Sequence, residues 1–242
     1  MTFYLTVSAE TEVRTLATLV ENAKSCLDPS SIAAFDYSKR TLIAMAKPPT
    51  GRWLDQDPNV FKFGLKAPLK TKISREYKGD RNDAAALYAE VGFEWKIRRV
   101  PAEEGRFEVH GGGVNVEYLQ PDGQGLKEFH YDVCRGGVDE HGGAAHHPFA
   151  HFQYSQAFSD LPRLPSLIFT PTDILEQVLL DLWPRSWPAT SQKLGIKAAL
   201  HRHYQGQKSR LEASATCFVA SAKAARLPLR GMQDKLAANL AL

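Results

Sequence analysis

The sequence contains few cysteines. Only Cys26, Cys134 and Cys217 occur among 242 residues, and they lie far apart with no CxxC pair. This count and this spacing exclude a disulfide framework and a zinc ribbon, because both need paired or closely spaced cysteines. Reduced thiols in a cytoplasmic protein are the simplest interpretation.

The sequence also lacks a long apolar run. No window approaches the length of about 18 apolar residues that a membrane-spanning helix needs. The first twelve positions carry Glu10 and Glu12, where a secretory signal would have a basic stretch and then an apolar one. We therefore expect no membrane partner and a cytoplasmic location.

Neither sign of charge dominates the composition. Lys and Arg number 30 and Asp and Glu number 27, for a formal net charge of +3. This weak excess permits contact with nucleic acid but does not require it. The most basic stretch carries Lys66, Lys70, Lys72, Arg75, Lys78 and Arg81. It is consistent with a phosphate-binding surface or a solvated loop, and we favour the loop because a charge run alone specifies no partner.

The N-terminal part of the chain has mostly helical patterns. Ser8 is typical of an N-cap, and apolar residues then recur every three or four positions until Asp28-Pro29 ends the pattern. A second helical run is predicted over 31–46. Alternation of apolar and polar residues predicts a strand over 61–66. A short helix is expected to end before Gly92.

The C-terminal part is also predicted to be helical. Thr170 is typical of an N-cap, and Pro171 suits the first position of the helix that follows. Alanine-rich sequence then continues the helical pattern, with a break expected near Gly206. His201 and His203 fall in a basic segment that we interpret as a helix end, where cations interact favourably with the helix dipole.

Between these parts the hydrophobic pattern has a period of two, which is typical of strands. The alternating segments are 93–100, 106–110, 114–119, 127–135 and 149–154. Short turns between successive strands favour antiparallel pairing. We predict a single α+β domain over 1–242, with an antiparallel sheet of four to five strands at about 93–154. A helical N-terminal part (1–90) and a helical C-terminal part (170–242) flank the sheet part (91–156).

Histidine is concentrated in the sheet part. Six of the eight histidines are His110, His130, His141, His146, His147 and His151. Most of them surround one glycine-rich loop. Histidine exchanges a proton near neutral pH more readily than other side chains, and it is the commonest metal ligand. This region is therefore the expected location of any chemistry.

Two neighbouring strands can bring these histidines together. Side chains alternate across a strand, so Glu128, His130, Asp132 and Cys134 share one face. In the next strand His147, Phe149, His151 and Gln153 share one face. If the strands pair as a hairpin, His130 and Asp132 meet His151 and Gln153. The connecting loop, with Asp139, Glu140, His141 and His146, then lies over the same polar face.

Several kinds of chemistry suit this cluster. We favour two imidazoles acting as general base and general acid on an RNA 2′-hydroxyl and its leaving oxygen. The candidate catalytic residues are His130, Asp132, His147 and His151, and the candidate substrate-binding residues are Arg135, Gln153 and Arg163. Either arginine can neutralise the phosphate charge. We expect no cofactor and no bound metal.

Three alternatives remain open at this point. A metal could be held by His130, Asp132 and His151, although no compact ligand motif is present. Cys134 could act as a nucleophile that a nearby histidine activates. Finally, the polar face of an antiparallel sheet often does no more than contact water.

Residues 129–187 resemble a family of small bacterial proteins from toxin–antitoxin and phage-defence loci, which includes toxins of the TumE type. The similar elements are Phe129–Asp132, the His147-Pro148-x-x-His151 step, Arg163–Pro165 and Thr170–Asp173. One departure is that Phe152 and Gln153 follow His151, where a further histidine would complete the pattern. The similarity covers about a quarter of the chain.

The resemblance implies a defence or toxin-like protein that binds or cleaves nucleic acid, with RNA favoured. It also implies a protein partner from the same operon. The alternative from a different class is a non-enzymatic subunit of a multiprotein antiphage complex. A third interpretation is a metal-dependent hydrolase built on the same histidines.

Overall fold

The computed structural model describes residues 5–46, 60–77, 86–99, 107–133, 150–154, 164–165 and 169–223. The elements in these residues are β1 (Leu5–Val7), α1 (Ala9–Asn22), α2 (Pro29–Ala46), β2 (Val60–Gly64), β3 (Leu69–Lys70), β4 (Tyr88–Arg99), β5 (Phe107–Leu119), β6 (Gly125–Val133), β7 (Ala150–Tyr154), β8 (Leu164–Pro165), α3 (Pro171–Leu182), α4 (Ser186–Ser191) and α5 (Leu194–Lys223). Helices flank an antiparallel sheet, so the α+β class predicted from the sequence is confirmed.

The helix starts follow local sequence signals. The Ser8 side chain accepts a hydrogen bond from the Thr11 N–H at 3.3 Å, and this bond begins α1 as predicted. Thr170 begins α3 in a capping box with Asp173, in which each side chain accepts from the other residue's backbone N–H. Among the described residues, none of the helices combines the length and the apolarity that crossing a bilayer requires.

The strands form one antiparallel sheet in the order β2-β4-β5-β6-β7-β8, with β1 on β5 and β3 on β4. The meander from β4 to β7 is the part that the alternating pattern predicts. The sheet is larger than predicted because the short strands β1, β2, β3 and β8 join it. Three of these lie within 1–90, so the N-terminal part contributes strands as well as helices.

Three local predictions are wrong. Strand β4 begins at Tyr88, where the sequence predicted the end of a helix. Two separate strands were predicted over 106–110 and 114–119, but β5 is one continuous strand through Gly111–Gly113. The chain passes this point with His110 as the extra residue of a bulge and with Gly112 at a φ of +90°. Helix α5 continues past Gly206. A glycine inside a helix lowers helix stability by about 1 kcal/mol relative to alanine. The packing of the buried α5 residues that precede Gly206 outweighs that cost.

The two faces of the sheet differ in character. One face packs against the helices, and Trp95, Val116 and Leu175 belong to the same buried cluster. The opposite face, called the polar face below, carries the alternate residues of the four central strands. These are Glu90, Gly92, Glu94, Lys96 and Arg98 of β4; Glu108, His110, Gly113, Asn115 and Glu117 of β5; Glu128, His130 and Asp132 of β6; and His151 and Gln153 of β7.

Candidate functional site

The pairing of β6 with β7 has the register that the sequence-based hypothesis required. His130 lies directly opposite Gln153, and Asp132 lies directly opposite His151. Directly opposite residues of an antiparallel pair point to the same face, with Cβ atoms about 5 Å apart. The backbone therefore brings all four positions to one part of the polar face.

His130 and Asp132 also contact each other. The distance from His130 Nε2 to Asp132 Oδ2 is 3.2 Å, and 19% of the histidine side chain and 31% of the aspartate side chain are exposed. A carboxylate at this distance holds the imidazole ring in one orientation. The partial exposure leaves the pair accessible from solvent, so it has the geometry of a general base and its positioning residue.

Gly113 provides the space for the Asp132 carboxylate. A Cβ atom at Gly113 would lie 2.1 Å from Asp132 Oδ1 and 2.2 Å from the Tyr131 backbone oxygen. Gly113 is the β5 residue opposite Asp132. A side chain at this position would therefore collide both with the carboxylate and with the neighbouring strand.

Asn115 belongs to the same part of the polar face, although the sequence analysis did not identify it. This exposed residue of β5 lies opposite His130 on one side and opposite Gly92 of β4 on the other. The alternation within 114–119 indicates that Asn115 points to the polar face. Its pairing with His130 depends on the turn between β5 and β6, and the sequence pattern leaves that register open.

A second pair of a histidine and a carboxylate lies on the polar face. His110 Nε2 is 3.3 Å from Glu108 Oε2, and only 8% of the His110 side chain is exposed. The two pairs have similar geometry, but His110 sits at the bulge and is more deeply buried. Exposure therefore favours His130 as the histidine that reaches a substrate.

Carboxylates dominate the centre of the polar face. Strands β5 and β6 contribute Glu108, Glu117, Glu128 and Asp132 to it, whereas β5, β6 and β7 contribute no Lys or Arg at its described positions. The described basic residues of the face, Lys96 and Arg98, lie on β4, and Arg98 is directly opposite Glu108. On the β2 and β3 side, Lys62 pairs with Glu94 at 2.8 Å and Lys70 pairs with Glu90 at 3.5 Å. Carboxylates are consequently the main charged groups that the described part of the chain places around His130.

Several predicted site residues lie outside the described residues. These are His147, Arg135, Arg163, Cys134 and the loop positions His141 and His146. His151 is placed by its backbone register alone. In the described ranges, no group of three or more His, Cys, Asp or Glu side chains is arranged to hold a metal ion. The catalytic and substrate-binding assignments therefore stay predictions.

The described lysines of the basic stretch contact the protein itself. Lys72 donates hydrogen bonds to the backbone oxygens of Lys24 and Ser25, at 3.4 Å and 3.0 Å. Lys70 Nζ lies 4.2 Å from the centre of the Tyr88 ring. The preference for a solvated loop over a phosphate-binding surface stays a prediction, and Lys78 and Arg81 lie outside the described residues.

The prediction that His203 belongs to a basic helix end is wrong, because His203 lies inside α5 and is 2% exposed. Its Nε2 is 3.0 Å from Glu176 Oε2 and 3.7 Å from Asp173 Oδ1, both on α3. Tyr204 donates to the other oxygen of Glu176 at 2.8 Å, and burial is the main cause that raises the pKa of this tyrosine. His203, Glu176 and Asp173 are all buried, which is typical of a structural cluster.

Comparison with known proteins gives no relative from which a function could be transferred. No protein-family model, no curated protein and no solved structure matches this chain. The geometry of the polar face is therefore the main evidence for a function.

Proposed function

We propose that the polar face is an acid–base active site that cleaves RNA. His130 acts as the general base, Asp132 positions it, and His151 acts as the general acid. The observation that supports this most directly is the 3.2 Å contact between His130 and Asp132, on a strand whose partner carries His151 opposite Asp132.

The reaction follows from the roles of these residues. His130 removes the proton from a 2′-hydroxyl, and the resulting oxygen attacks the adjacent phosphorus. The bond from phosphorus to the 5′-oxygen breaks, His151 donates a proton to that oxygen, and a 2′,3′-cyclic phosphate remains. Gln153, opposite His130, donates hydrogen bonds to the substrate. We assign neutralisation of the phosphate to Arg135 or Arg163, and a supporting catalytic role to His147.

The biological setting that we propose is that of a bacterial defence or toxin-like protein acting with a protein partner from its own operon. The support is the resemblance of residues 129–187. RNA cleavage would slow growth until the partner blocks the polar face. If the polar face catalyses no reaction, the chain would instead act as a binding subunit of a defence complex.

Cleavage of a labelled single-stranded RNA tests the proposal. His130→Ala should lower the rate by about 100-fold or more, because a positioned general base contributes that much. His110→Ala is the matched control, since it removes a histidine from a similar pair on the same face. Asp132→Asn should lower kcat and leave KM nearly unchanged, because Asp132 orients the base and does not hold the substrate.

Two outcomes would contradict the proposal. Equal loss of activity in His130→Ala and His110→Ala would indicate damage to the sheet, not loss of a base. No cleavage by the wild-type chain, or full activity of His130→Ala, would leave the non-enzymatic subunit as the better interpretation. Loss of activity on adding a chelator would instead favour the metal-dependent hydrolase.

A further inference from the structure

We infer that the part of the polar face beside His130 binds a nucleobase and selects adenine or cytosine over uracil, through Asn115 and the carboxylates on either side of it. This inference rests on the proposed function, because it names the part of the RNA that lies next to the general base.

A row of residues that contains no carboxylate crosses the sheet at His130. Gly92, Asn115, His130 and Gln153 lie on four adjacent strands, each directly opposite the next. Asn115 is exposed, and a Cβ atom at Gly92 would have nothing within 4 Å. A flat ligand group therefore has open space over Gly92. The amide of Asn115 lies beside that space, and His130 lies next to Asn115.

Carboxylates border this row on both sides. Along each strand, two residues correspond to about 7 Å. On one side of the row, Glu117 and Glu128 lie at that distance and directly opposite each other. On the other side, Glu94 and Asp132 lie at that distance. Among the described residues, no Lys or Arg forms an ion pair with Glu117 or Glu128. One oxygen of Glu128 is shielded from solvent and has no hydrogen-bond partner within the described ranges.

These charges decide which part of a nucleotide fits. Two carboxylates that have no ion-pair partner in the described part of the chain repel a phosphate at this distance, and they attract hydrogen-bond donors. The exocyclic amino groups of adenine and cytosine are such donors, whereas the exocyclic groups of uracil are both acceptors. An asparagine amide also pairs with adenine through one donor and one acceptor. The base therefore lies on the row, and the phosphates lie away from Glu117 and Glu128.

Binding of uncleavable RNA analogues tests this inference separately from catalysis. The probes are fluorescein-labelled 2′-O-methyl hexamers of adenine, cytosine and uracil, which have no 2′-hydroxyl to react. The wild-type chain should bind the adenine and cytosine hexamers roughly tenfold more tightly than the uracil hexamer, the discrimination expected of one good contact to a base. Asn115→Ala should remove most of the preference for adenine. Glu117→Gln with Glu128→Gln should bring the uracil hexamer close to the others.

The control is Gln205→Ala, which removes an exposed amide from α5 and should leave all three affinities unchanged.

Equal affinities for the three hexamers, or no binding of any hexamer, would overturn the inference even if the chain cleaves RNA. A preference for adenine that survives Asn115→Ala in full would also overturn it. Tight binding of an oligolysine peptide, lost in the double glutamine variant, would show that the acidic border serves a cationic protein instead. A base preference without cleavage would refute only the proposed reaction.

Discussion

At the scale of single residues, His203 shows how a buried polar side chain joins helices. Its imidazole contacts Glu176 and Asp173 of α3, while Glu12 of α1 accepts hydrogen bonds from the Thr172 N–H at 3.2 Å and hydroxyl at 2.7 Å. The first turn of α3 is thus held from α1 on one side and from α5 on the other. Buried carboxylates need such partners, because an unpaired charge in the interior costs several kcal/mol.

Replacing His203 should therefore destabilise the protein. His203→Ala leaves Glu176 buried without its imidazole partner, and we expect the free energy of unfolding to fall by about 3 kcal/mol. Urea unfolding followed by circular dichroism measures this change. His201→Ala is the matched control, since His201 is exposed two residues earlier on the same helix. It should change the free energy of unfolding by less than about 0.5 kcal/mol. A loss below about 1 kcal/mol in His203→Ala would show that the contact with Glu176 contributes little.

At the scale of elements, the two glycines of the sheet beside the candidate site have opposite surroundings. Gly113 is enclosed by Asp132 and the backbone of Tyr131, whereas Gly92 faces open space on the neighbouring strand. Both lie in strand interiors, where a glycine usually weakens the strand. Only Gly113 is required by its contacts, so the pairing of β5 with β6 depends on it.

Substitution by alanine should separate the two glycines. Gly113→Ala should lower the free energy of unfolding by about 2 kcal/mol, because the added methyl group cannot fit without moving β6. Gly92→Ala should leave stability unchanged or raise it by about 0.5 kcal/mol, since alanine restricts the unfolded chain and meets no atoms. Thermal unfolding of both variants measures the difference. Equal stability of the two variants would show that the space at Gly113 is not needed.

The elements also show where sequence reasoning succeeds. Ser8 and Thr170 mark helix starts because a cap acts within four residues of its own position. The shared face of His130 and Gln153 follows from the alternation in two strands, once those strands pair as a hairpin. The position of Asn115 and the burial of His203 could not be predicted in the same way. Each depends on contacts between segments distant in sequence, such as the 27 residues that separate Glu176 from His203.

At the scale of the whole molecule, one hydrophobic cluster connects the sheet to the helices. Trp95 of β4 and Trp187 of α4 are both members of it, and both are almost completely buried. Apolar contacts that continue from one layer to the next make the layers unfold together, because opening either one exposes the surface of the other. The prediction of a single domain over 1–242 leads to the same expectation.

Single-tryptophan variants test this cooperativity. One variant keeps Trp95 and the other keeps Trp187, with the remaining tryptophans changed to Phe. Within each variant, the fluorescence of the retained tryptophan and the far-ultraviolet circular dichroism should show the same urea midpoint, because one transition exposes the shared core. The comparison is made inside each variant, so any loss of stability from the substitutions affects both signals equally. The contrary result is a Trp187 transition at lower urea than the Trp95 transition, with each fluorescence curve displaced from the dichroism curve of the same variant. It would show that the helices unfold separately and that the single-domain prediction is wrong.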